Sequence, residues 1–188
     1  ILIAGAGIGG LTAGCALVRA GFDVVVVERA PELRPVGAGI TVQANAIAAL
    51  RRLGLDGAVR AAGMAMGRSE IRRADGAVLA STGLDRLEPV LGAPSVAIHR
   101  ARLQQVLLQG LGPSRVRAGT EAVGFVESEK GVALLLGDGS HLEGAALVGA
   151  DGLRSRLRAA LHGEGEPAYA GYTSWRGVAS HGGRVPDG

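Results

Sequence analysis

Ile1-Leu2-Ile3-Ala4-Gly5-Ala6-Gly7-Ile8-Gly9-Gly10-Leu11-Thr12-Ala13-Gly14 opens the chain, and its reading decides the fold. Four apolar residues ending at a glycine have the composition of a parallel strand buried on both faces. Leu11 to Ala20 is helical in composition with Gly21 as its stop, and Asp23 followed by the β-branched run Val24 to Val27 is a second buried strand. Ile1 to Arg29 therefore reads as a βαβ unit. In its turn Gly5 makes the tight bend, Gly7 lets a pyrophosphate approach the backbone, and Gly10 lets the helix pack on the strand. Each of these tasks needs the absence of a Cβ. The helix that follows points its N-terminal amides and the positive end of its dipole at the phosphates, and Gly14 extends the same small face.

Glycine spacing alone is weak evidence in a chain with 32 glycines. The context strengthens it, because the glycines lie between a strand and a helix and Glu28 ends the second strand roughly 20 residues on, where a carboxylate accepts hydrogen bonds from ribose hydroxyls. Glu28 could also be a solvated carboxylate at a strand end. A carboxylate at this place repels a 2′-phosphate, which disfavours NADP. NAD and FAD both present an ADP half, so the unit leaves the choice between them open.

The bulk properties set limits. In 188 residues, 47% hydrophobic, there is material for one large domain or a domain and a half. The 20 basic residues outnumber the 17 acidic ones by only three. Lys130 is the sole lysine, and the arginines are spread without the aromatic interleaving of single-stranded nucleic-acid binders, so no nucleic-acid partner is expected. Cys15 is the only cysteine, which gives no disulfide framework and no thiolate zinc site and favours a cytoplasmic setting. Cys15 itself reads as a small core residue. His99, His141, His162 and His181 lack paired ligand spacing, and no metal site is expected. No stretch approaches the roughly 20 apolar residues of a membrane span. The chain starts inside a strand without a methionine, and we expect a fragment.

Further along, Ala30 to Gly39 reads as a loop, Asn45 to Leu53 as a helix stopped by Gly54, and Ser69 to Arg73 with Ala77 to Ser81 as a hairpin around Asp75-Gly76. His99 to Gln109 reads as a helix. Glu121 to Ser128, Val132 to Leu136 and Ser140 to Glu143 form a β-meander, and Ala145 to Gly149 is another buried strand. It leads to Asp151-Gly152 and a short helix, Ser155 to Leu161, for which Ser155 is the cap. Tyr169 to Ala179 reads as a closing strand.

Leu147-Val148-Gly149-Ala150-Asp151-Gly152-Leu153-Arg154-Ser155-Arg156-Leu157-Arg158 again puts an Asp-Gly at a strand end before a helix. Together with the glycine loop it resembles the FAD-dependent aromatic hydroxylases, the group A flavoprotein monooxygenases with the p-hydroxybenzoate hydroxylase fold. Salicylate and urate hydroxylase-like members are nearest. Glu28-Arg29, Gly37 to Thr41 with Asn45-Ala46, His99 to Leu103, and Tyr169 to Gly177 fit that family in order. The resemblance covers essentially the whole chain and selects FAD over NAD.

It implies an α/β fold: a Rossmann-like FAD-binding domain with a β-meander, plus part of an antiparallel-sheet substrate domain. The FAD-binding domain would take 1–66 and 96–165, the substrate domain the hairpin segment 67–95 and the start of a sheet at 166–188. Carried over, Gly5, Ala6, Gly7, Ile8, Gly9 and Gly10 would bind the FAD pyrophosphate, Glu28 the ribose and Arg29 the neighbouring adenosine. Gly39, Ile40 and Thr41 would approach the flavin side, Arg100 would contact the cofactor, and Ala122 would offer backbone to adenine. Asp151 would hydrogen-bond the ribityl or pyrophosphate region. Arg100 and Asp151 also read as residues of helix starts, and Tyr172 and Trp175 as either substrate-cavity or core aromatics. The role of Gln43, beside the flavin-side loop, stays open.

The activity implied is hydroxylation of a small aromatic or heteroaromatic substrate by a flavin hydroperoxide formed with NADH or NADPH and O2, and no catalytic residue can be named from the chain. Other FAD oxidoreductases, namely an epoxidase, a halogenase or a reductase, and a non-catalytic dinucleotide-binding module remain alternatives. The later Gly-Asp-Ala motif of the family is absent from these residues, so the chain is expected to be inactive by itself.

Overall fold

The computed structural model describes residues 1–34 and 37–178. In chain order the elements are β1 (Leu2–Ala4), α1 (Ile8–Arg19), β2 (Val25–Glu28), β3 (Gly39–Val42), α2 (Ala44–Arg52), α3 (Asp56–Ala62), β4 (Met64–Ala65), β5 (Arg68–Arg72) and β6 (Val78–Gly83). There follow α4 (Glu88–Leu91), β7 (Val96–His99), α5 (Arg100–Leu111), β8 (Val116–Ala118), β9 (Ala122–Ser128), β10 (Gly131–Leu136), β11 (His141–Gly144), β12 (Leu147–Gly149) and α6 (Arg156–His162). The chain divides into two compact units, one of Ile1–Arg34 with Leu107–Ser174, the other of Pro35–Val106 with the segment from Trp175 onward. The fold is mixed α/β, with one parallel sheet and three antiparallel ones.

The first unit is built on a parallel sheet of order β12-β1-β2-β8. Because side chains alternate along a strand, β1 serves two cores. Leu2 and Ala4 join Val27, Leu134, Leu136 and Leu157 in a buried cluster under the β9-β10-β11 meander and α6. Ile3, on the opposite face, packs against the α1 and α5 side, where its Cδ1 and that of Leu111 lie 3.5 and 3.0 Å from the place of a Cβ on Gly14. Both faces being covered explains why these strands are apolar without alternation. Helix α1 closes as the glycine stop anticipated: Phe22 N–H donates to the Leu17 carbonyl and Gly21 N–H to that of Val18, with Gly21 at φ +89°.

The second unit holds a three-stranded antiparallel sheet, β3-β7-β4, and the two-stranded sheet of β5 and β6. The two hairpin turns, Asp75-Gly76 and Asp138-Gly139, are built alike. Arg73 N–H donates to the Ala77 carbonyl around Gly76 at φ +90°, and in the first unit Leu136 N–H donates to that of Ser140 around Gly139 at φ +85°. Each is a three-residue loop ending in a left-handed glycine, which is why the hairpin strands begin and end one or two residues from their expected bounds.

Several expectations need correction or addition. Tyr169–Val178 forms no strand; Ala179 lies outside the described residues. Aromatic and β-branched composition becomes a strand only where a neighbour supplies the ladder, and no described strand pairs with this segment. Tyr172 and Trp175, 75% and 95% exposed, are not packed into a core by the described residues. His99 is not helical but ends β7, whose Val96 and Ile98 are buried. Sequence reading also missed β8, a short strand with Arg117 at its centre, and α3, which contains Gly57 and has no side-chain cap.

Candidate functional site

In the first unit the glycine loop leaves β1 at Gly5, whose N–H donates to the Val27 carbonyl at 2.8 Å and whose φ is +103°. A Cβ here would lie 2.3 Å from the Ala150 carbonyl oxygen, so strain and contact both require glycine. Gly10 is as confined, since a Cβ on it would fall 1.9 Å from the Gly5 carbonyl oxygen. Gly7 and Gly9 differ: a Cβ on either would meet nothing within 4 Å. Two glycines thus serve the packing of turn on strand, while Gly7, the N-cap of α1, opens onto a cavity. Ile8 begins α1, and its carbonyl accepts the Thr12 hydroxyl at 2.7 Å.

Glu28 is half-buried at the end of β2 and is fixed by backbone. One carboxylate oxygen accepts Ala6 N–H at 2.8 Å and the other accepts Ala30 N–H at 2.9 Å. The buried Ala6 therefore turns an amide toward Glu28, and its contribution to the loop is to hold that carboxylate in place. A carboxylate has about four acceptor sites, so each oxygen keeps capacity for a hydroxyl. Arg29 follows, exposed and without an ion pair among the described residues.

Asp151 stands just after β12. Its Oδ1 accepts the Ser155 hydroxyl at 2.6 Å, and its Oδ2 accepts the N–H groups of Arg156 and Leu157 at 2.8 and 3.3 Å. Ser155 in turn caps α6 by accepting Arg158 N–H at 2.9 Å. The helix-start reading of Asp151 is the one its hydrogen bonds express, and the residue also faces the cavity.

That cavity, of about 200 Å³, is bounded on one side by Val27, Glu28, Arg29 and Thr120 to Ala122, and on the other by Ala150, Asp151, Gly152, Arg154 and Arg156, with Gly5 and Gly7 between. It brings together Gly5, Gly7, Glu28, Arg29, Ala122 and Asp151, six residues singled out from the sequence. Ala122 enters it at the head of β9, beside a bulge that sets Leu136 opposite Ala122 and Leu135 opposite Gly124. Sequence reasoning missed Thr120, Glu121, Gly152, Arg154 and Arg156 as wall residues. Those after Asp151 sit inside the quoted motif, and that was the available signal.

In the second unit Gly39, Ile40 and Thr41 lie in β3, paired antiparallel with β7 so that Gly39 stands opposite His99. Arg100 begins α5; its N–H donates to the Ala38 carbonyl at 3.0 Å, and a Cβ on Gly37 would lie 3.3 Å from its Cβ and Cδ. The His99 ring Nδ1 accepts Ala101 N–H at 3.2 Å and so caps α5. Ser95, fully buried, donates its hydroxyl to Gln43 Oε1 at 3.3 Å and accepts Ala44 N–H at 3.2 Å, which ties the start of α2 to the residue before β7.

Cys15 is buried in the first unit, its thiol 3.4 Å from the Leu107 carbonyl, and burial pushes the thiol pKa up. Among the described residues no group of three or more His, Cys, Asp or Glu could hold a metal ion, and no helix is long and apolar enough to cross a membrane.

The family described as "FAD binding domain" matches residues 1–178. The chain belongs to the FAD-binding domain family. This FAD-binding domain is 48% identical over 178 residues to the aurachin C monooxygenase/isomerase of Stigmatella aurantiaca, covering 95% of this chain and 46% of that protein. It is 40% identical to 3-hydroxybenzoate 6-hydroxylase 1 of Aquipseudomonas alcaligenes, with the same coverage. Among solved structures it resembles Klebsiella pneumoniae HpxO complexed with FAD and uric acid, with a TM-score of 0.76, 32% identity and coverage of 84% of this chain and 40% of that one. The chain spans about half the length of the curated relatives it matches.

Proposed function

We propose that this chain is the cofactor-holding portion of an FAD-dependent monooxygenase that hydroxylates a small aromatic or heteroaromatic substrate. The observation that carries the reading is the convergence of the glycine loop, Glu28 and Asp151 on one cavity, in a chain whose relatives are named as hydroxylases and monooxygenases. The residues fit the group: Gly7 and Gly9 leave open space where phosphate oxygens would come up to backbone, and Glu28 retains acceptor capacity for ribose hydroxyls.

In this reading the Gly5 to Gly10 loop holds the pyrophosphate, with Gly7, Ile8 and Gly9 presented to it, Gly5 and Gly10 fixing the turn, and Ala6 orienting Glu28 toward the ribose. Arg29 and the Ala122 backbone flank the adenosine, and Asp151 presents the ribityl or pyrophosphate side. Gly39, Ile40, Thr41 and Arg100 serve the flavin end, and segments 67–95 and 166–188 belong to the substrate domain. Bound FAD supplies the redox chemistry that carries electrons from NADH or NADPH to O2. A cytoplasmic setting is part of this reading and is supported by a lone cysteine with no disulfide partner.

A protein containing this chain together with a downstream half should consume NAD(P)H and O2 one for one with a phenolic product. The 188-residue chain alone should take up FAD without substrate-dependent O2 uptake. Stoichiometric turnover by the short chain, or a longer protein that loads FAD and never consumes O2, would sink the proposal.

A further inference from the structure

One ion pair joins the two walls of the cavity. Arg156 Nη2 lies 3.1 Å from Glu121 Oε1, and no other ion pair among the described residues links two of its lining side chains. Each end is anchored by backbone. Arg156 N–H donates to Asp151 Oδ2 at 2.8 Å, which fixes the arginine to the wall that follows β12. On the other wall the Glu121 carbonyl accepts Gly137 N–H at 2.9 Å, and the preceding Thr120 N–H donates to the Glu28 carbonyl at 2.8 Å. The pair therefore ties the start of α6, held by Asp151, to the head of β9, held to Glu28 through Thr120, and both ends line the cavity. Arg29 and Arg154 line the same cavity with no ion pair among the described residues, which leaves their charge for an anion.

We propose that Arg156 and Glu121 form a strap that positions the two walls on the adenosine half of bound FAD and slows its release. They are positioning residues, and the proposal rests on the cofactor reading given above. Glu28 marks the ribose and Gly7 the pyrophosphate, so what remains for the Thr120–Ala122 wall is the adenosine end, and Glu121 lies within it. The side chains are 56% and 42% exposed, and a pair so placed is worth little by itself. Its loss should raise the FAD off-rate about two- to five-fold, the range expected of exposed ion pairs.

The test compares the wild-type chain with Glu121→Gln, Arg156→Gln and the charge swap Glu121→Arg/Arg156→Glu, using FAD and, separately, ADP. We expect faster FAD release and weaker ADP binding in both single variants, with a melting temperature lowered by no more than about 2–4 °C. The swap should recover most of the loss, and wild type and variants should converge at about 1 M salt, where screening removes the pair. Single variants that hold both ligands as the wild type does would overturn the strap, as would a swap that recovers nothing. ADP reads the strap without the flavin. A chain that binds ADP and rejects FAD would therefore sink the flavoprotein reading and leave the strap to be judged on its ADP affinities.

Discussion

Gly10→Ala and Gly7→Ala separate the two uses of the glycine loop. At Gly10 a Cβ would stand 1.9 Å from the Gly5 carbonyl oxygen, where real Cβ contacts stay beyond 3.0 Å. The helix start and the turn would have to part by about 1 Å, and both sides of the contact are backbone. Overpacking of this kind costs about 1–3 kcal/mol, and the helix propensity regained by alanine offsets about 1 kcal/mol at most. Taking the upper end for a contact that no rotamer change can relieve, the net loss is about 2 kcal/mol, a fall in melting temperature of about 4–8 °C for a chain of this size. At Gly7 the backbone is already at φ −69°, ψ 178°, which alanine adopts freely, and a Cβ meets nothing within 4 Å. The poorer N-cap costs about 1 kcal/mol or less. Its methyl, however, would occupy the space a phosphate must enter, and FAD affinity should fall about tenfold or more, about 1.4 kcal/mol. Thermal unfolding by circular dichroism without flavin, and flavin fluorescence titration, read the two effects apart. A Gly10→Ala chain as stable as the wild type, or a Gly7→Ala chain that binds FAD normally, would refute the assignment.

Three further outcomes follow from the same geometry. Glu28→Gln keeps one acceptor and turns an amide against the other backbone N–H; FAD affinity measured by calorimetry should drop by about 1–3 kcal/mol, and an unchanged value would remove Glu28 from the ribose. Ser155→Ala loses the cap bond from Arg158 N–H and should cost about 1 kcal/mol, seen as a melting temperature about 2–4 °C lower; no change would show that Asp151 alone caps α6. The Cys15 thiol is buried and its pKa is raised, so less thiolate exists at pH 8 than for a free cysteine. Ellman's reagent should label it slowly in the native chain and at once in guanidinium, whereas fast native labelling would contradict its burial.

The βαβ unit was legible because its information is local. Gly10 is required by a contact within the loop and Glu28 is tied to Ala6 and Ala30 by two short backbone bonds, while Gly5, though legible from its place in the motif, is confined by Ala150 and Asp151 far along the chain. Ser155 as the α6 cap and the left-handed glycines of the Asp-Gly turns are likewise fixed by a few neighbouring residues. What escaped depends on partners far along the chain. β8 is three residues long and is a strand because β2 offers its edge, with Val26 opposite Val116. The reverse error has the same origin, since Tyr169–Val178 has strand composition and no described strand beside it. Arg156 and Glu121 were invisible as a pair because nothing in the spacing of two surface charges says that α6 and the head of β9 bring them together beside the cavity.

The central claim, that the cavity of Gly5, Gly7, Glu28 and Asp151 holds FAD, is tested most directly by titrating the purified chain with FAD and with NAD in parallel. Tight uptake of FAD, with a perturbed flavin spectrum and quenched fluorescence, against weak binding of NAD is the result expected. Tight binding of NAD with no retained yellow chromophore would contradict it.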